Sequence, residues 1–219
     1  MTTRQRLLLY GTGPVSDALG KKGAMDHEIR PRSNKASMAG PAYTVQVHTA
    51  DILMVSKALA ECPAEHVLVI DGRAECNTAL WGGLTTLSAL GKGLAGAVIY
   101  GAVRDLADIK RSELPVFSRA VVASAGGAEY LGKLQVTVSC GGQVVRPGDW
   151  LVGDDDGVVV IPAEVLDLTL EKAEAIVAAE KRIAEAIGNG VEIATLIKID
   201  ELIQKKEKEV LIPQLRLNQ

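Results

Sequence analysis

At 219 residues, with 47% apolar and 23% charged side chains, the chain can build one globular core, or one core with an appendage, and its composition excludes a disordered, fibrous or collagen-like protein. Lys and Arg number 24 against 27 Asp and Glu, a net charge of −3, and no basic block interleaves with aromatics, so no nucleic-acid partner is expected. With one Phe, two Trp and 22 glycines, the core must be aliphatic and the backbone rich in turns and close approaches.

In chain order, Arg4 and Arg6 precede an apolar stretch that runs only from Leu7 to Tyr10. A secretory h-region needs ~7–15 residues, so no signal peptide is expected and the compartment expected is the cytoplasm. Tyr43 to His48 alternates apolar and polar as a half-buried strand does, and Asp51 can cap a helix running toward Ala60 and stopping before Pro63. Val67 to Ile70 and Ala97 to Tyr100 are short continuous apolar runs, the pattern of strands covered on both faces. Leu84 to Leu90, between them, predicts a helix that ends at Gly91, and the order is that of a right-handed β-α-β crossover. The longest near-apolar run, between Lys92 and Arg104, is well under the ~18 residues of a membrane span, so no membrane partner is expected.

After Pro115-Val116-Phe117 the pattern turns β-rich. Val136 to Ser139 and Val144-Val145 flank a Gly141-Gly142 turn, and Trp150 to Val152 and Val158 to Ile161 flank Asp154-Asp155-Asp156-Gly157. From Ala163 a helical pattern runs to Gly188-Asn189-Gly190, and a second helix is expected over much of residues 192–209, where Lys205-Lys206-Glu207-Lys208-Glu209 reads as a solvated face. The expected organisation is an α/β domain over residues 1–188 and a C-terminal helical tail over 189–219. Cys62, Cys76 and Cys140 are too widely spaced for a zinc or disulfide framework and read as small thiols in a reducing compartment.

Ligands of open α/β sheets bind beyond the carboxyl ends of strands, where helix N-termini offer unpaired N–H groups to anions. Three segments meet that description: Asp71-Gly72, Trp81-Gly82-Gly83-Leu84-Thr85, and Gly101-Ala102-Val103-Arg104-Asp105. Amides from Gly82 to Thr85 can cradle a carboxylate or phosphate, Arg104 can clamp a carboxylate with its fork of donors, and Asp105 can hold a hard metal. On local pattern alone, Arg104 and Asp105 fit equally well a pair that satisfies loop carbonyls and amides. Lys92, near a helix C-terminus, reads as a surface residue complementing the dipole. His27, His48 and His66 are scattered and lack an i+4 partner, and Asp154 to Asp156 reads as a tight hairpin turn.

Gly40-Pro41-Ala42-x-Thr44-Val45, the stretch from Trp81 to Asp105, Pro115-Val116-Phe117, Arg146-Pro147-Gly148-Asp149 and Gly153-Asp154-x-Asp156-Gly157-Val158-Val159-x-Ile161-Pro162 together resemble the RraA-like family. That family joins regulators of ribonuclease E activity to 4-hydroxy-4-methyl-2-oxoglutarate aldolases, and the likeness runs over about residues 10 to 185. The resemblance implies a compact β/β/α swivelling-type α/β domain, assembled as a homotrimer or hexamer with sites between subunits. It implies a lyase that uses Mg²⁺ or Mn²⁺ to cleave a small 2-oxo acid to pyruvate and to decarboxylate oxaloacetate. Arg104 would hold the substrate, the backbone of Gly82, Gly83, Leu84 and Thr85 its carboxylate end, and Asp105 the metal, with Asp108 and Glu180 as candidate outer-shell acids. Two departures stand out. The aldolases carry Asp or Glu immediately before the helix Leu, where this chain has Gly83, so that Asp71, Glu75 or Asp108 would have to substitute; and Thr49-Ala50-Asp51 stands where Gly-Asp is usual. The alternatives implied are a non-catalytic, protein-binding regulator and a relative with a different lyase substrate.

Overall fold

The computed structural model describes residues 1–207, and the chain falls into two compact units, Met1–Glu174 and Ala175 onward. In chain order the strands are β1 (Arg30–Pro31), β2 (Met38–Gln46), β3 (Val67–Trp81), β4 (Gly96–Val103), β5 (Val116–Val121), β6 (Lys133–Leu134), β7 (Val138–Cys140), β8 (Gln143–Val145), β9 (Trp150–Asp154) and β10 (Gly157–Ile161). The helices are α1 (Thr3–Tyr10), α2 (Thr12–Ala18), α3 (Leu53–Glu61), α4 (Gly83–Gly91), α5 (Leu106–Arg111), α6 (Leu166–Gly188) and α7 (Ile193–Leu196). The main sheet has the order β1-β5-β4-β3-β2-β9-β10, with β6 also on β2, and β7 and β8 form a separate hairpin. β2, β3, β4 and β5 are parallel to their neighbours in that set, while β1, β9 and β10 add antiparallel edges.

Alternation along β3 sets the layers. Leu68 and Ile70 face a core shared with Val55 and Leu59 of α3, Ala89 of α4 and Ile109 of α5. Val67 and Val69 face the opposite way, into a core shared with Val138, Cys140 and Val145 of the β7–β8 hairpin, Leu151 and Phe117. Helices on one face and a second small sheet on the other give an α/β fold with β/β/α layering, followed by C-terminal helices. The β7–β8 turn is made by Gly141 and Gly142, both at positive φ, as a two-residue hairpin loop requires.

Four elements differ from the sequence reading. β2 runs from Met38 to Gln46 rather than from Tyr43 to His48, and it is buried along most of its length rather than half-buried. β3 does not stop at Ile70: it continues to Trp81 through register shifts against β4, with Arg73 and Ala74 at positive φ, and these bulges conceal the strand's period. The expected second C-terminal helix is broken, because Lys198 adopts a φ of 51° between α7 and the helical residues from 199 onward. Lys205, Lys206 and Glu207 are exposed there, and Lys208 and Glu209 lie outside the described residues. Finally, Asp51 does cap α3, but from one residue further out than expected, its Oδ1 accepting the Leu53 amide at 2.8 Å. Among the described residues, no helix is long and apolar enough to cross a membrane.

Phe117, the one phenylalanine, is fully buried and is the largest such side chain in the aliphatic core. Phe117→Ala is expected to lower the unfolding free energy by about 3–5 kcal/mol, measured by urea denaturation, through lost apolar burial and the cavity left in the packed core.

Candidate functional site

The site grows from the last rungs of the β3–β4 ladder. Trp81 pairs with Val103, and the Arg104 amide donates to the Trp81 carbonyl at 2.9 Å, so the chain leaves both strands at the same place. From β3 it enters α4 through Gly82, and from β4 it turns into α5 at Asp105, which sits in the left-handed region (φ 55°, ψ 43°). Asp is among the residues that tolerate that conformation, and here it aims the carboxylate back across the gap. Asp105 Oδ2 accepts the Gly83 amide at 3.0 Å and lies 3.7 Å from Arg104 Nε.

The first turn of α4 is anchored from inside. The Trp81 indole N–H donates to Thr86 Oγ1 at 2.7 Å, the Thr86 hydroxyl donates to the Gly82 carbonyl at 2.8 Å, and the Gly82 amide donates to Thr85 Oγ1 at 2.9 Å. Of the four amides expected to face an anion, Gly82 is therefore taken by Thr85 and Gly83 by Asp105. Leu84 and Thr85, second and third in the helix, belong to the first-turn donors that an α-helix leaves without partners of its own.

Two cavities meet at this corner. One, of about 200 Å³, is lined by Gly82, Leu84, Thr85, Arg104 and Asp105 together with Ile52, Leu80 and Ala125. The other, of about 400 Å³, lies between α4 and α5 and is lined by Gly83, Leu84, Leu87, Leu90, Asp105, Asp108, Arg111 and Ser112. Arg104, Asp105 and Asp108 are exposed to solvent, and among the described residues the one charged partner of Arg104 is Asp105. That loose contact leaves the outer guanidinium nitrogens available for a bidentate acid.

Gly83 and Asp108 fit each other. A Cβ built on Gly83 would lie 2.9 Å from Asp108 Oδ2 and 3.0 Å from its Cβ, so the Asp108 side chain fills the space beside residue 83. Asp108 also ion-pairs with Arg111 one turn along α5. The other two candidate substitutes lie elsewhere: Asp71 is buried, accepting the Arg73 amide and the Gln46 side chain, and Glu75 accepts the Asn77 amide. Asp71-Gly72 is thus not at the strand's end, since β3 runs on past it, and neither residue lines the two cavities. Glu180 is an exposed residue of α6, in the second unit.

The segment that carries Ala125 escaped the sequence reading, although its Gly126-Gly127 pair was a signal. A Cβ on Gly126 would lie 2.7 Å from the Ala50 carbonyl, so only glycine fits there. Asp51 Oδ2 holds the same segment by accepting the amides of Glu129 at 2.6 Å and Tyr130 at 3.0 Å. Burial raises the pKa of Asp51, but the amides of Glu129, Leu53 and Tyr130, with the charge of His48, outweigh it and hold the carboxyl below its usual range. A lowered pKa means that this contribution to folding is complete above the ordinary carboxylate range and is lost as pH falls through the lowered value.

The remaining polar candidates have other roles. Asp154 accepts the Thr12 amide and hydroxyl and the Asp156 amide, completing the β9–β10 turn. Lys92 Nζ donates to the Ala60 carbonyl at the end of α3. Burial pushes the Cys62 thiol up to about 12, and that of fully buried Cys140 upward as well, away from nucleophilic use.

A profile of the RraA-like family (Aldolase/RraA) matches residues 12–160. A Halalkalibacterium halodurans protein provisionally named as a 4-hydroxy-4-methyl-2-oxoglutarate aldolase is 37% identical over 177 residues, covering 81% of this chain and 84% of the relative. The 4-hydroxy-4-methyl-2-oxoglutarate aldolase of Thermus thermophilus is 32% identical over 151 residues, 69% of this chain and 92% of its own. Among solved structures, the RNA-processing inhibitor RraA of Thermus thermophilus superposes with a TM-score of 0.63 at 32% identity, over 68% of this chain and 90% of that one. An uncharacterised protein of Pseudomonas syringae pv. tomato superposes with a TM-score of 0.79 at 28% identity, over 87% and 90% respectively.

Thr86→Val, which keeps the shape of the side chain but leaves the buried Trp81 N–H without an acceptor, is expected to cost about 1–3 kcal/mol in a guanidinium titration.

Proposed function

The chain belongs to the RraA-like family, and on that footing we propose that it is a divalent-metal-dependent lyase acting on a small 2-oxo acid. The reaction would be retro-aldol cleavage of a 4-hydroxy-2-oxo acid to pyruvate, decarboxylation of oxaloacetate, or both. One observation carries the reading: Arg104, Asp105 and the N-terminus of α4 line a single cavity.

The residues suit a hard cation. Among the described residues no three His, Cys, Asp or Glu side chains gather into a ready ligand cage. Asp105, with one oxygen on the Gly83 amide and its exposed side chain lining the cavity, suits Mg²⁺ or Mn²⁺, which keeps several waters and takes one or two carboxylates. Asp105 would hold the ion directly and Asp108, filling the space beside Gly83, would order its water shell. Such an ion supplies Lewis-acid stabilisation for the charge of a pyruvate enolate.

The protein's own part is to bind and orient. Arg104 would take the substrate carboxylate in its guanidinium fork, and the Leu84 and Thr85 amides would add donors at the positive end of the α4 dipole. The apolar Ile52, Leu80 and Ala125 would keep water from the rest of the cavity. The reading includes a homo-oligomer, trimer or hexamer: Leu84 is 83% exposed and Leu87 67%, a leucine stripe beside the site that a second copy would cover.

A second reading, the non-catalytic regulator, draws support from Gly83, which leaves the α4 N-terminus without a carboxylate of its own. Retention of an RNA-degrading endonuclease on the immobilised chain, with no metal-dependent turnover, would establish it.

The lyase reading predicts that pyruvate is released from oxaloacetate with Mg²⁺, that EDTA stops this and that added Mg²⁺ restores it. Asp105→Ala is expected to lower kcat by about 10²–10³, the usual cost of losing one electrostatic stabiliser. An Asp105→Ala enzyme as fast as the parent on oxaloacetate and on 4-hydroxy-2-oxo acids would sink the proposal.

A further inference from the structure

Asp51 is a buried carboxylate with no Lys or Arg partner in its hydrogen-bond set, and it is surrounded by backbone amides from two separate segments. Its Oδ1 serves the start of α3 through Leu53, and its Oδ2 serves Glu129 and Tyr130. Between those anchor points the segment is laced further. The Ile52 amide donates to the Gly127 carbonyl at 2.8 Å and the Gly127 amide to the Ala50 carbonyl at 2.9 Å. On the other side, the Ala79 amide donates to the Ser124 carbonyl at 2.8 Å and the Gly126 amide to the Ala79 carbonyl at 3.2 Å. The His48 ring stacks on Tyr130 with centroids 4.5 Å apart, closing the outer end.

Two of the residues so held, Ile52 and Ala125, line the cavity that also contains Arg104, Asp105 and Thr85. We infer that Asp51 is a positioning residue: by binding amides of both segments at once, it fixes the stretch 124–130 as a wall of the acid-binding cavity and so sets how closely a small substrate is held. Beyond Asp51, the segment is held by the backbone hydrogen bonds to Ala50, Ile52 and Ala79 and by the His48 stack. Ser124, Ala125, Gly127, Glu129 and Tyr130 are all exposed, so apolar burial contributes little, and its place depends on these hydrogen bonds, of which those to Asp51 and Ala79 reach buried residues. A carboxylate suits this task because it offers two acceptor oxygens and no donor, whereas Asn in its place would set an NH₂ group against N–H groups.

The inference rests on the proposed lyase reading for the identity of the substrate, but not for the tether. The test compares the full chain with Asp51→Asn, and with His48→Ala and Tyr130→Ala, two exposed changes that loosen the outer end without entering the core. Amide hydrogen exchange is followed over residues 124–130, and KM and kcat for oxaloacetate are measured with Mg²⁺. Faster exchange confined to 124–130 is expected, with KM rising about tenfold in Asp51→Asn and kcat held within about threefold, well inside the ~10²-fold that a misplacement of ~1 Å can cost. The two exposed variants should move both readouts the same way, by less. Unchanged exchange in all three variants overturns the tether, and faster exchange with an unchanged KM overturns the positioning role while leaving the lyase reading intact. A parent protein that releases no pyruvate overturns the lyase reading instead, and the exchange data then judge the tether alone.

Discussion

Parallel pairing of β3 with β4, carried to its last rung at Trp81 and Val103, is the constraint from which the rest of the site follows. Two strands that run the same way and end together deliver two helix starts to one corner. The Gly83 amide, at the positive end of α4, then finds the Asp105 carboxylate, and Arg104 stands beside both. No tertiary accident is needed to gather these groups, since ladder register and helix polarity do it. The bulges in β3 serve the same end. They absorb the extra residues between Asp71 and Ala79 and let the strand regain its pairing before it enters α4.

Gly83 gains a physical meaning from its neighbour. The family resemblance implies an acid at this position; here the space beside the Cα is filled by Asp108. A side chain at residue 83 and the present placement of Asp108 exclude each other. The carboxylate beside residue 83 thus comes from α5, one turn beyond Asp105. A glycine that reads in the sequence as a missing ligand has, in three dimensions, a carboxylate packed against its Cα.

The parallel core was legible because its signals are local: the runs Val67 to Ile70 and Ala97 to Tyr100, the helix opened by Gly82-Gly83, and the Gly141-Gly142 and Asp154–Gly157 turns all declare themselves within a few residues. Arg104 and Asp105 were legible for the same reason, sitting just past an apolar strand. What stayed hidden depends on pairing rather than pattern. β3 past Ile70 has no clean alternation, because its bulges break the period of two, and the Ser124 to Tyr130 segment takes its place from Ala50, Asp51 and Ala79, far away in the chain. Asp51 was visible as a helix cap, but a sequence shows only the near half of a carboxylate that binds two segments.

The acidic residues divide by how many of their acceptor sites the fold already fills. Asp51 takes three backbone amides, Asp149 takes those of Arg146 and Ala163, and Asp154 takes the Thr12 amide and hydroxyl and the Asp156 amide. In each, both oxygens are engaged, and removing the carboxylate would leave several donors without their acceptor. Asp105 differs: one oxygen is engaged by Gly83, the other carries no bond among the described residues, and the exposed side chain lines the cavity. An aspartate held in place by one oxygen and open at the other is oriented without being satisfied, the condition under which a carboxylate can take a cation or a substrate's proton. Full acceptor sets thus mark acids that hold this fold together, while Asp105, exposed and lining the cavity, is held at one oxygen by the Gly83 amide.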